Sequence, residues 1–424
     1  MAGVSLAWLL DGEHDVVLLE AGESVGGNIR SVPVELDGYK FEVDLGAQYF
    51  HPGPYPTYVK LLELLGLYPS PEETHAFPSS ITLSSPSNKD VLFVSPVFPD
   101  RIWPILAPWN HSGLEAFNTV FRAAKQREEE DGSWALTLED WLPTLGLSQE
   151  QWEGMVLPWA ASLFSGDVKE TRGLSARAAM IFVAKALPDN LTEPLLYYVL
   201  KKGLTEPLSR MMAQVSTVKF LTRTCVTRTS PHPGGGFLIE FPGGAELVDQ
   251  IVLACSGPPA FGLLEGIPGA SEQQQALGGI GFQDAHLALH TNPIYVPSNA
   301  MVRSFFNAEI SNAESSDDSC EASMWMSDVL TQVPQGTAAK LYKTWVTHRH
   351  KPGGLLAEAR FRHMLPTPDT LKAQVQLSSL QGHGGVWFAG GYLHHYDSQE
   401  TALRSALGVA KGLGCSSERL QSLS

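Results

Sequence analysis

The sequence predicts an α/β fold. A domain built around a parallel sheet, assembled from discontinuous segments, is interleaved with a second domain of mixed α+β character. Three observations carry this expectation. Residues 3–20 read as an apolar helix (GVSLAWLL), a turn (GEHD) and an apolar strand closed by an acid (VVLLE), which is half of a strand–helix–strand unit. LVDQIVLACSGPP (247–259) is a continuous apolar run ending in a Gly-Pro-Pro bend, the pattern of a buried strand. VWFAGGYLHHYDSQETALRSALGVAKGL (386–413) reads as an apolar strand, a Gly-Gly turn, a polar loop and an Ala-rich helix.

The 424 residues are 43% hydrophobic and 17% charged, enough apolar surface for one or two large cores. Segments 1–75, 205–265 and 375–424 are assigned to the parallel-sheet domain, and 76–204 with 266–374 to the second domain. The net charge of −16 argues against a nucleic-acid or anionic-lipid partner, because such binding needs clustered positive charge. Cys225, Cys255, Cys320 and Cys415 stand too far apart in sequence to suggest a metal site or a redox pair. No apolar run reaches the length of a membrane span, so the expected setting is a cytoplasmic or organellar soluble one.

The remaining segments follow the same logic. VELDGYKFEVDLGAQYFHP (34–52) alternates as a hairpin turning at Asp37-Gly38. Residues 76–204 are rich in Pro and Trp, and LTLEDWLPTLG and EPLLYYVLKKG predict helices there. KFLTRTCVTRTS and GGFLIEFPGG suggest a second hairpin, and the Ser- and Asp-rich stretch 311–321 suggests a surface loop.

Glu20 closes VVLLE, where an acid in a dinucleotide-binding unit accepts hydrogen bonds from ribose hydroxyls. AGESVGGN follows it, and from here the sequence resembles the flavin amine oxidase superfamily, which includes monoamine oxidases, protoporphyrinogen oxidases and phytoene desaturases. Glu20, Ala21, Gly26 and Gly27 match that family's E-A-x-x-x-x-G-G-R segment, where paired glycines let main chain pass close to a pyrophosphate. Asn28 stands in place of the usual Arg, with Arg30 two positions on as a substitute. VDLGAQYFHP resembles the D-x-G-A-x-x-F stretch through Asp44, Gly46, Ala47 and Gln48. CVTRTS places Val226 in the strand whose main chain meets adenine. The closing segment resembles F-A-G-[DE]-x-x, a loop, E-x-A and a small-residue helix, through Gly390, Gln399, Glu400, Thr401 and Ala402. Gly391 replaces the usual acid. The family's glycine loop aligns so that Gly3 is its third glycine, and the first strand and two glycines are missing. The expectation is therefore that the gene product begins upstream.

The resemblance implies an FAD-binding Rossmann-like domain and an FAD-dependent oxidoreductase of the amine oxidase kind. Such an enzyme oxidises an amine or another C–H substrate by hydride transfer to flavin N5. A lipid or polyene isomerase or desaturase, and a non-catalytic remnant, are the alternatives. The expected partner is a small molecule, with hydrophobic ones included. Candidate acid–base residues are His394, His395 and Tyr392, while Trp345, Trp387 and Tyr392 are candidates for an aromatic border. No metal is expected.

Overall fold

The structure, a computed structural model, describes every residue except 47, 86–89, 165, 191–192 and 312–317. The Ala2–Leu10 helix buries all its side chains but one, as a helix apolar all round must. It packs against the Gln399–Gly412 helix in a core that also holds Leu61, Leu62, Leu204 and Met211. Beside it run two short parallel pairs, Val17–Leu19 with Lys219–Leu221 and Ile251–Leu253 with Val386–Phe388. Each ties an end region of the chain to the middle segment 219–253, so the parallel layer is assembled from segments far apart in sequence.

The hairpin at Asp37-Gly38 is present, Ser31–Leu36 against Tyr39–Asp44. Both turn residues have positive φ (53° and 83°), the geometry that matches the right-handed twist of the flanking strands. The second expected hairpin forms differently. Lys219–Leu221 pairs with Val17–Leu19, and Phe237–Phe241 sits between Arg228–Pro231 and Gly244–Val248 in a three-stranded antiparallel sheet.

The largest sheet has seven strands, in the order Leu355–Met364, Phe282–His290, Tyr342–Trp345, Cys320–Trp325, Phe306–Ile310, Ile81–Ser84 and Val91–Val94. All neighbours are antiparallel except Phe306–Ile310 beside Ile81–Ser84. The His111–Glu129 and Ala176–Ala186 helices pack together in the same core as this sheet. Within the sheet, register puts Phe306, Met324 and Lys343 in one row across three strands. The next row, Asn307, Ser323 and Thr344, points to the opposite face, because side chains alternate along a strand. There the Thr344 hydroxyl donates to Ser323 Oγ (2.9 Å) and Asn307 Nδ2 donates to the Ser323 carbonyl (3.2 Å), so the polar row satisfies itself.

Two helix expectations need correction. LTLEDWLPTLG holds only the four-residue helix Leu138–Trp141, followed by a 3-10 turn at Leu142–Leu145. Pro143 in the first turn of that second piece breaks the main-chain ladder. EPLLYYVLKKG is a strand, Leu196–Leu200, paired antiparallel with Thr74–Pro78. Its Tyr-Tyr-Val centre favours a pleated surface, and the aromatic rings of Tyr197 and Tyr198 reach Tyr49 (4.9 Å) and Phe50 (5.7 Å) across it. The polar stretch 311–321 ends in a strand from Cys320, and most of its loop lies outside the described residues.

Candidate active site

Between the parallel layer and the seven-stranded sheet lies a cavity of about 1650 Å³. This exceeds the roughly 300–1,000 Å³ of an ordinary small-molecule site, so a dinucleotide and a substrate fit together. Its wall divides into a half made of turns and glycines and a half made of large side chains.

The first half begins at the turn after the Ala2–Leu10 helix and at Glu20, which follows Val17–Leu19. Glu20 Oε1 accepts the Gly22 N–H (2.7 Å), which closes the bend before the paired glycines. Gly26 (φ 138°) and Gly27 (φ 63°) lie in the left-handed region that other residues avoid. A Cβ on Gly26 would approach the Ile29 carbonyl oxygen to 2.7 Å. Gly46 lies in a bend beside Asn28, and a Cβ there would strike the Asn28 carbonyl. Thus two glycine segments press together at the cavity wall.

At the chain's other end, Gly390 donates its N–H to Ser405 Oγ (2.9 Å), and a Cβ on it would enter the Tyr392 ring. Ser398 caps the Gln399–Gly412 helix by accepting the Thr401 N–H (3.2 Å), and Ser398, Gln399 and Ala402 bring the first turn to the cavity. Gly391 has a specific reason to be glycine. A Cβ there would collide with the Asp397 carboxylate, which therefore occupies the space a side chain at 391 would take. Asp397 opens onto the cavity yet is enclosed by protein, and desolvation raises its pKa to about 6. At neutral pH it is still mainly ionised.

The second half is the sheet row Phe306, Met324 and Lys343, faced by aromatic and aliphatic residues from the helices. Lys343 is only 1% exposed. Its Nζ donates to the main-chain carbonyls of Asp44 (3.1 Å) and Gly46 (3.2 Å), so it ties the sheet to the glycine half. Burial away from water pulls its pKa down to about 7, against the opposing pull of the Asp44 charge. Asp44 itself is held by the Ser31 hydroxyl (2.5 Å) and the Leu204 N–H (3.0 Å). His363 stands edge-on to Trp345 (5.2 Å), and desolvation lowers it to about 4, so it is neutral.

Among the residues expected to bind a cofactor, Gly3, Glu20, Gly26, Gly27, Gly46, Gln48, Val226, Gly390, Gln399 and Ala402 all line this one cavity. Arg30 does not, and its side chain is exposed, so it supplies no charge in place of Asn28, which does line the wall. Thr401 is fully buried and caps back to the Ser398 N–H (2.9 Å) rather than reaching the cavity. Ala47 lies outside the described residues. Of the acid–base candidates, only Tyr392 lines the cavity. His395 stacks flat on Trp134 at 3.8 Å, with Arg177 on that same ring at 4.1 Å, and His394 also stays off the wall. Trp345 lines the cavity, whereas Trp387 packs between Gly382 and Gly412 and donates to Gln250 Oε1 (2.8 Å). Sequence reasoning missed Lys343 and Asp397. The signal for Lys343 was a lysine inside an otherwise apolar strand, LYKTW, at a position that alternation assigns to a buried face. Among the described residues no cluster could hold a metal ion, and no helix is long and apolar enough to cross a membrane.

The residues present suit a dinucleotide: closely packed glycines, a helix first turn, and Gln399 Nε2 and Tyr392 Oη buried without partners. Comparison with known proteins agrees. No curated protein matches the chain by sequence. Its fold is similar to that of a redesigned putrescine oxidase (TM-score 0.64, 13% identity, covering 97% of each chain). It is also similar to cyclohexylamine oxidase from Brevibacterium oxydans (TM-score 0.62, 15% identity, 97% of each chain). A third solved structure with this fold is a fatty acid isomerase from P. acnes that produces CLA (TM-score 0.64, 12% identity, 97% of this chain and 96% of that one). The sequence profile described as flavin containing amine oxidoreductase matches residues 1–285. The chain belongs to the flavin-containing amine oxidoreductase family, an FAD-dependent oxidoreductase in fold and cofactor.

Proposed function

We propose that this chain oxidises a small-molecule C–H bond next to a heteroatom, with Lys343 taking the proton released at that heteroatom. The observation that carries the reading is the meeting of Lys343 with the glycine cradle in one enclosed cavity. FAD bound there would supply the acceptor for a hydride from the substrate carbon. The glycine half, Glu20 and the first turn of the Gln399–Gly412 helix hold the dinucleotide, and Asp397 accepts hydroxyl hydrogen bonds beside Gly391. Lys343 does the acid–base work. With a pKa of about 7, much of it is an uncharged amine at neutral pH. Two of its hydrogens are committed to the Asp44 and Gly46 carbonyls, which leaves the nitrogen lone pair as acceptor. The apolar wall around it excludes water, so the proton goes to Nζ and not to solvent.

Domain assignment follows the same division. Segments 1–75, 205–265 and 375–424 form the cofactor-holding unit, and the remaining segments supply the seven-stranded sheet and the helices over the substrate.

The test is to load the purified chain with FAD, mix it anaerobically with panels of amines and long-chain alcohols, and follow bleaching of the flavin absorbance. Peroxide should appear when air is admitted. A chain that takes up no flavin, or flavin that no panel member bleaches, contradicts the proposal. The likeness to a fatty acid isomerase favours a second reading, removal and return of a hydride on one substrate. Double-bond migration without peroxide would establish it instead.

A further inference from the structure

The cavity lining states what kind of substrate it takes. Its carboxylates, Glu13, Asp15, Glu20, Glu246, Asp249 and Asp397, all belong to the turn-and-glycine half. Among the described residues, the wall supplied by 49–197 and 282–366 contains none. Its charged groups are Lys343, about half ionised at pH 7, and Arg362, whose guanidinium is paired with Asp284 (3.1 Å). Apart from Ser79, Ser162, His363 and the tyrosine hydroxyls, the rest is hydrocarbon and aromatic ring, with Phe121, Trp159, Leu163, Phe182 and Val183 brought in from the helical layer and Leu195 from the start of the Leu196–Leu200 strand. Phe121 and Trp159 pack 5.3 Å apart, and Phe182 packs edge-on to Tyr396 at 5.2 Å, so these side chains continue one apolar surface.

We propose that this half of the cavity binds an elongated apolar substrate whose reacting end is uncharged, and rejects amine cations and diamines. The proposal rests on the cofactor assignment above and specifies the substrate of that same site. An ammonium group here meets no carboxylate. Removing it from water is costly, and a cation–π contact with Tyr49 or Tyr197 offsets only part of that cost. Each methylene of an alkyl chain, by contrast, gains on burial. An amine therefore enters only as its neutral form, attached to a large apolar body.

The experiment uses the FAD-loaded chain and a neutral fluorescent ligand, N-dodecyl dansylamide, displaced by butanol through dodecanol and by 1,4-diaminobutane. The dissociation constant should fall about fourfold per methylene, the equivalent of ~0.8 kcal/mol per buried CH₂, while the diamine displaces nothing. Val183→Asp should weaken dodecanol by at least about tenfold, and Val183→Leu should leave it within about threefold, in samples whose melting curves match wild type. A flat chain-length series, displacement by the diamine, or failure of the fluorescent ligand to bind overturns the proposal. If Val183→Asp does not fold, the chain-length series on wild type decides. Flavin absorbance retained on the protein after filtration separates this result from the cofactor assignment: a colourless protein with a steep chain-length series refutes only the latter.

Discussion

In the turn-and-glycine half of the cavity the chain presents main chain, and each wall position is set by what lies within a few residues. Gly26 and Gly27 follow Glu20 closely, and Gly390 follows its strand directly. In the sheet-and-helix half it presents side chains, and neighbours such as Phe306, Met324 and Lys343 come from three different strands. Close backbone approach leaves a mark in sequence because only glycine permits it. A packed apolar wall leaves none, since the same residue types fill any core. The first half can be recognised across proteins, and the second, to which the proposal assigns the substrate, must be read from coordinates.

The largest effect should come from the group that bridges the two halves. Lys343→Met should slow anaerobic flavin reduction by about 10²–10⁴-fold, the usual contribution of a positioned acid–base group, while FAD content stays near wild type. Equal loss of FAD and of reduction rate would mean that Lys343 only braces the Asp44–Gly46 segment.

Within the cofactor half, Asp397→Asn should weaken FAD binding by about 1.5–3 kcal/mol, read as a raised dissociation constant in equilibrium dialysis. Glu20→Ala should weaken it by a similar amount. Unchanged affinity in the Asp397 variant would leave its collision course with Gly391 a matter of packing alone.

A smaller effect is expected from Gly46→Ala. The added methyl must displace the Asn28 carbonyl, costing about 1–3 kcal/mol of stability in a denaturant titration. The smallest should come from His395→Ala. Loss of its stack on Trp134 should cost about 0.5–1.5 kcal/mol of stability and leave flavin reduction within about threefold of wild type. A larger kinetic loss would return His395 to the chemistry.

The helix at residues 2–10, the Asp37-Gly38 hairpin and the strand–loop–helix ending were legible because local pattern and tertiary context agree there. EPLLYYVLKKG was misread because its Leu-Leu-Tyr-Tyr run fits either period, and only pairing with Thr74–Pro78 decides between them. Glu20 and the paired glycines on the cavity wall were legible as a motif. The acid at Asp397 was not, since it lies six positions beyond Gly391 in sequence and reaches that space only when the 391–398 loop folds back. His394 and His395 were attractive in sequence for their nearness to the Gly-Gly turn, but Trp134, from a distant segment, claims the His395 ring.

At the centre of the site stands Lys343, a buried amine about half ionised at neutral pH. Its folded pKa near 7 lies below the ordinary 10.5, so between those values the unfolded chain holds a proton that the folded chain does not. Stability should therefore rise with pH across that window in wild type, relative to Lys343→Met. The most direct measurement is a titration of ¹⁵N-labelled lysine side chains by NMR, with the Lys343 signal assigned by its absence in Lys343→Met. One lysine should titrate near pH 7, apart from the rest. A Lys343 Nζ that stays protonated until its signal titrates with the exposed lysines near 10.5 would contradict it.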